Sequence, residues 1–178
     1  VTTANNAKII IKSEKDNSGS LIAKNAAGNT SGGADIKIRF EKVIDRLNAN
    51  SATEWSLLGI PVEGETSTDI DDYLLINNNK KGIGYFDNAT GAFVTWAENA
   101  DQALTPGKGY HATPDANGTN EVVIEGIMKE EGFFTATVTD QAGDYGNWNL
   151  IGNPYTSYLY LNDNDANADA ADSQDDFL

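Results

Sequence analysis

Cysteine is absent from the 178 residues. That excludes a disulfide framework, a thiolate metal site and a cysteine nucleophile. Histidine occurs once, at His111. One imidazole with no serine-bearing nucleophile elbow leaves no acyl-transfer constellation, so no enzymatic activity is expected. Basic side chains are scarce: 12 Lys and Arg stand against 27 Asp and Glu, a formal charge of −15 with a pI near 4.2. Such a surface repels phosphate, because nucleic-acid and anionic-lipid binding need cations to displace counterions. Nucleic acid is therefore excluded as a partner. No apolar run approaches the ~20 residues that a helix needs to cross a bilayer, so no membrane insertion is expected. The opening VTTANNAK lacks the basic and apolar regions of a signal peptide. Either a targeting segment has been removed or the chain is an excerpt of a longer protein.

What remains is a polar, turn-rich chain whose 39% hydrophobic content suffices for a core. Residues 8–12 (KIIIK) and 20–24 (SLIAK) read as strands around the turn DNSG. In 34–40, Ile36, Ile38 and Phe40 alternate onto one face. Phe40, Val43, Ile44 and Leu47 instead have helical spacing, so periodicity alone leaves 40–47 open. GYFDNATGAFVTW (84–96) reads as a hairpin around Asn88-Ala89-Thr90-Gly91. GKGYHAT (107–113), EVVIEG (121–126) and FFTATVT (133–139) are further strands. Short strands at this spacing predict an all-β fold, an antiparallel β-sandwich of jelly-roll type with short helical turns.

The most informative feature is an internal repeat. WSLLGIPVEG (55–64) and WNLIGNPYTS (148–157) share Trp, Leu, Gly and Pro at equal offsets. Trp occurs only three times, so chance is a poor account of the match. DDYL (71–74) is answered by DDFL (175–178). The pattern predicts structural roles for Trp55, Gly59, Pro61, Trp148, Gly152 and Pro154. The two tryptophans should pack inward at equivalent places, the glycines allow close backbone approach, and the prolines end their strands. Asp71-Asp72 should open a short helix with its acids at the positive end. The expected organisation is a sandwich over 1–145 holding the first copy, followed by an incomplete second copy over 146–178. Strands missing from that second copy should be replaced by the N-terminal strands at 8–24, with residues beyond 178 or strand addition from a neighbouring copy as the alternatives.

These motifs bring a family into view. WNLIGNPYTS resembles the WNLIGNPYPS motif of large secreted and cell-surface proteins of Bacteroidota. LTPGKGYHA is similar to their PGKGY or PGQGF strand, GSLIAKN to their GSLIV strand, and WSLLGIPVEG to their WHLVSSPV segment. The resemblance runs from about residue 8 to 178. Thr156 replaces a usual Pro, and His111 stands where an aromatic or aliphatic residue is common. The resemblance implies export by the type IX secretion route, an extracellular or cell-surface location and a strand over 36–44. It also implies other domains of the same parent protein as partners.

Three sets of side chains carry candidate chemistry. Asp165, Asn167, Asp169, Ser173 and Asp176 follow the ligand spacing of a calcium loop, although Ala170 stands where glycine is expected. A solvated acidic loop is the competing reading, and calcium is the one cofactor considered. Tyr85, Phe93, Trp96 and Tyr110 lie on strands and could stack on sugar rings, or equally pair inside the core. The acid pairs Asp71-Asp72, Glu130-Glu131 and Asp175-Asp176 are neighbours in sequence, unlike the separated carboxylates of a glycosidase. The sequons at Asn29, Asn88 and Asn117 fall in predicted loops. Two functions follow. One is a non-catalytic structural or adhesive surface module, assembling with neighbouring copies or domains. The other is a carbohydrate-binding module attached to a secreted polysaccharide-degrading enzyme. An exposed, coplanar pair of aromatic rings would favour the second.

Overall fold

The computed structural model describes residues 9–14, 19–21, 37–44, 55–115, 120–128, 136–140 and 142–157. Within them the chain is all-β, with nine strands and one turn of 3-10 helix. The strands are β1 (Ile9–Ser13), β2 (Lys37–Val43), β3 (Ser56–Gly59), β4 (Val62–Glu63), β5 (Ile76–Asn77), β6 (Lys80–Asp87), β7 (Ala92–Ala97), β8 (Gly109–Ala112) and β9 (Glu121–Met128). They form a four-stranded sheet, β1-β2-β9-β4, and a five-stranded sheet, β3-β8-β6 with β5 and β7 both paired to β6. Every pairing is antiparallel except that of β1 with β2.

The sheets share one core. Ile38, Val62, Val122, Ile124 and Met128 from the first meet Leu58, Ile83, Tyr110 and Ala112 from the second, with Ile44, Ile60, Ile70, Leu74 and Leu104 packed among them. This is a sandwich-like arrangement, as the strand spacing predicts. Residues 37–43 are strand, so the helical spacing misleads over 40–43, and 45–47 lie outside the described residues. Pairing with β9 along all seven residues of β2 outweighs a local apolar pattern that fits either form.

The 84–96 hairpin has the expected register, Tyr85↔Val94 and Phe86↔Phe93. β5 and β6 are joined by Asn78 and Asn79, both at positive φ, the conformation that a two-residue hairpin turn requires. Two expectations need correcting. Residues 136–139 of the FFTATVT segment form no strand. Their polar groups instead bond across the loop, as Thr139 does with Asn88 and Asn149. Residues 19–21 likewise lie outside any strand. The remainders of both segments lie outside the described residues.

The 3-10 turn spans Asp71–Tyr73, where DDYL predicts a short helix. Its first acid answers a different need from a helix end. Asp71 Oδ2 lies 2.8 Å from Lys81 Nζ, and that lysine is buried. Thr68 Oγ1 accepts a further hydrogen bond from the same ammonium at 3.2 Å. A buried ammonium needs this pairing, because desolvating an unpaired charge costs several kcal/mol. The companion motif, DDFL, lies outside the described residues.

Candidate functional site

The two copies of the repeat meet on one strand. β3 of the first copy pairs with one edge of β8, Leu58 opposite Tyr110 and Gly59 opposite Gly109. The second copy pairs antiparallel with the strand's lead-in, through a bridge between Ile151 and Lys108. Gly109 N–H donates to the Leu150 carbonyl at 2.9 Å, and Gly152 N–H donates to the Gly107 carbonyl at 3.0 Å. PGKGY is thus held by both W-x-L-x-G-x-P segments. The shared glycines make this possible. A Cβ on Gly152 would lie 2.6 Å from the Lys108 carbonyl oxygen and 2.9 Å from the Gly59 Cα.

Among the described residues, the first copy's own partner strand covers the second copy. The N-terminal segment also reaches it, the Leu21 carbonyl accepting from Thr156 Oγ1 at 2.7 Å. β1 itself pairs with β2. Pro61 and Pro154 are buried beside the clasp.

The tryptophans overturn the expectation of burial. Trp55 is 40% exposed and Trp148 is 62% exposed. Trp55 precedes β3 and shares the parity of Leu57, whose side chain is 67% exposed, whereas Leu58 turns into the core. With a period of two, the inward residue of the motif is its second aliphatic, and the Trp falls on the other face.

On that outer face three rings stand together. The His111 imidazole is stacked on Trp55, with centroids 4.3 Å apart and planes 22° apart. Phe93 stacks on it at 4.6 Å and 30°. Strand register explains the assembly. Leu57 opposes His111, His111 opposes Gly84, and Gly84 opposes Thr95, so one row crosses four strands. Gly84 leaves the space over β6 that the imidazole occupies; a Cβ there would collide with the Val94 carbonyl and with His111 Nε2. Phe93 is 51% exposed, while His111 is buried between its neighbours. Together Trp55, Leu57, Phe93, Thr95 and His111 line a shallow hollow.

His111 Nε2 is buried without a hydrogen-bond partner. Burial lowers the imidazole pKa below its usual 6.5, opposed by the Val94 backbone. Burial thus favours the neutral ring, which stacks with both neighbours.

The expected platform of Tyr85, Phe93, Trp96 and Tyr110 is not one surface. Tyr110 is 1% exposed and lies in the core, and Tyr85 and Trp96 are half-buried against it. Those three make an internal cluster, with Trp96 6.0 Å from each tyrosine. Phe93 alone belongs to the outer ridge. The spacing carried a usable signal: Phe93 and Trp96 are three apart on one strand, so they point to opposite faces. Trp55 and His111 could not be joined to Phe93 in this way, because only the β3-β8-β6-β7 order brings them together.

A second cluster gathers acids at Glu65, Asp69 and Glu125 beside Arg39. Each carboxylate has an internal task. A Glu65 oxygen accepts from Glu125 N–H. Asp69 Oδ2 accepts from Thr66 N–H at 3.1 Å. Arg39 bonds Glu125 at 2.9 Å and Glu41 at 2.6 Å. Desolvation raises the buried Glu65 carboxyl to about 7. These contacts describe a structural network rather than a pair of acids facing across a cleft.

Among the described residues no group of three or more His, Asp or Glu could hold a metal ion. The calcium-spaced set Asp165, Asn167, Asp169, Ser173 and Asp176 lies outside the described residues, as do the sequons at Asn29 and Asn117. At the third sequon Asn88 is buried, its amide donating to Thr139 Oγ1 at 2.6 Å and to the Gly146 carbonyl at 3.1 Å. Asn88 is thus a tether for the 136–149 segment, an arrangement that leaves its nitrogen engaged. Comparison with protein-family models, with curated proteins and with solved structures finds no match to this chain.

Proposed function

We propose that the chain is a non-catalytic recognition module of a larger secreted bacterial surface protein, and that it contacts glycan through the ridge of Trp55, His111 and Phe93. One observation carries the reading: Trp55 and Phe93, both stacked on the buried His111, stand 40% and 51% exposed on an outer sheet face. Exposed aromatic area in a patch of this kind marks an interaction surface. The apolar C–H faces of sugar rings match flat aromatic faces, and their hydroxyls remain hydrated at the rim. The family resemblance supports an extracellular setting, and the charge of −15 disfavours anionic partners.

The test is a glycan array probed with the full 178-residue chain, followed by titration of each hit. Phe93→Ala, at an exposed position, should leave the thermal midpoint within a few degrees and lower affinity about tenfold. Hits whose affinity is indifferent to Phe93→Ala and Trp55→Ala would dismiss the ridge.

A second reading, a structural module in which the ridge packs on a neighbouring domain, is favoured by the clasp of the two repeat copies on PGKGY. A concentration-dependent rise in mass that Phe93→Ala abolishes would select it.

A further inference from the structure

We propose a second sugar-binding subsite, in the cleft between the β6–β7 turn, the 105–108 turn and the 148–151 segment, with Trp148 and Lys108 as its ligand-facing groups. It rests on the glycan reading of the ridge and extends it to a ligand of more than one sugar unit, a neutral linear glycan. The cleft encloses about 470 Å3, within the range of small-molecule sites.

Its wall is built before any ligand arrives. Asn88 Nδ2 donates to Thr139 and Gly146. Asn149 Nδ2 donates to the Thr139 carbonyl at 3.0 Å, and Thr139 N–H returns a bond to Asn149 Oδ1 at 3.0 Å. Asp87 is engaged in its own turn, accepting from Ala89 N–H at 3.1 Å and from Thr90 Oγ1 at 2.9 Å. These polar groups are engaged within the wall, and Trp148 and Lys108 are two further lining residues.

Trp148 offers an indole that the repeat pattern alone would bury. Lys108 is the second group. Its ammonium stands 4.8 Å from the Tyr85 ring centroid and 5.8 Å from that of Tyr110, and it has no ion pair among the described residues. The chain has more than twice as many acids as bases, yet among the described residues this cation sits over aromatic rings without a carboxylate partner. The rings steady it without consuming its three N–H donors.

An indole face and an ammonium donor together suit a polyol ring: C–H groups against the one, hydroxyl or ring oxygen toward the other. The net charge decides between neutral and acidic glycans. A field from −15 opposes a polyanion, and one ammonium does not reverse it. Continuity with the ridge comes through Phe86, which lines the cleft and lies 5.4 Å from Phe93.

The test titrates the full chain with neutral linear oligosaccharides of increasing length and with uronic-acid oligomers of matched length. Trp148→Ala and Lys108→Met are compared with Phe93→Ala, and thermal midpoints verify folding. The expected result is affinity for a neutral series that grows with length and falls about tenfold or more in Lys108→Met, the loss of one charge-assisted hydrogen bond being of that size, and falls also in Trp148→Ala, which removes the stacking face. Lys108→Arg, which keeps the donors, should recover part of it. Neutral ligands lost in Phe93→Ala but unaffected by Lys108→Met and Trp148→Ala would overturn the subsite and leave the ridge standing. The reverse pattern would keep the cleft and remove the ridge. Binding of the acidic series alone would overturn the choice of ligand, and binding of neither series would overturn both sites.

Discussion

His111 shows how a residue's neighbours set its chemistry. Trp55 and Phe93 cover the imidazole, and burial lowers its pKa. A depressed histidine contributes stability that is present above the unfolded value near 6.5 and is lost as pH falls through the folded value. An NMR titration of the imidazole should therefore give an apparent pKa below 6.5, and Gly84→Ala, which intrudes on the ring's place, should disturb the stack. A histidine titrating at or above 6.5 in the folded chain would contradict the buried stack. Lys81 and Asp71 make the complementary case. Asp71→Ala leaves a buried ammonium without its carboxylate and should cost about 3–5 kcal/mol in urea unfolding. Lys81→Met, which removes the buried charge and keeps the stem, should cost less. Equal losses in the two variants would mean that the pair's electrostatics are not what Asp71 supplies.

Among the elements, β8 and its lead-in join the two copies of the motif. β3 flanks it on one side and residues 150–152 pair with it on the other. The two copies of the motif are thus offset by two residues along one partner strand, Leu58 facing Tyr110 and Ile151 facing Lys108. An even offset keeps equivalent residues on the same face. The glycines let the copies touch: a Cβ on Gly59 would lie 2.8 Å from the Asn153 nitrogen. Backbone on both sides leaves little room to yield. Gly59→Ala and Gly152→Ala should each destabilise by about 1–3 kcal/mol, the usual range for forcing extra volume into packed structure. They should also act less than additively, because both open the same contact. Strict additivity in thermal unfolding of the double variant would deny that the two glycines share a contact.

At the scale of the whole molecule, pH acts through buried Glu65. Its carboxyl is raised from 4.5 to about 7 by desolvation, and one oxygen is tied to Glu125 N–H on β9. A raised carboxyl contributes stability that is fully present below 4.5 and is lost as pH rises through about 7. A shift of that size corresponds to about 3 kcal/mol. Glu65→Gln keeps an acceptor for the Glu125 amide and removes the charge. The variant should gain on the wild type between pH 5 and pH 8, measured by urea midpoints at both values. A constant difference between the two proteins across that range would refute the assignment. The low-pH loss through His111 runs the other way, so the acid and alkaline arms of the profile report on different sites.

Strand alternation and turn residues made the all-β class, the 84–96 hairpin and the glycine roles at 59 and 152 legible in the sequence, because each depends on neighbours along the chain. The two motifs match residue for residue at Trp, Leu, Gly and Pro, yet that match does not fix which way their side chains face. The shared W-x-L-x-G-x-P pattern suggested burial, whereas strand parity together with the pairing of β3 and β8 turns Trp55 outward. Phe93, His111 and Trp55 are far apart in sequence and carry no common spacing; strand order alone gathers them. The same holds for Lys81, whose burial beside Asp71 depends on where the 3-10 turn docks. Local periodicity determines which residues can share a face of one strand, and only tertiary pairing decides which faces meet, since register between distant strands is set by contacts that no short window contains.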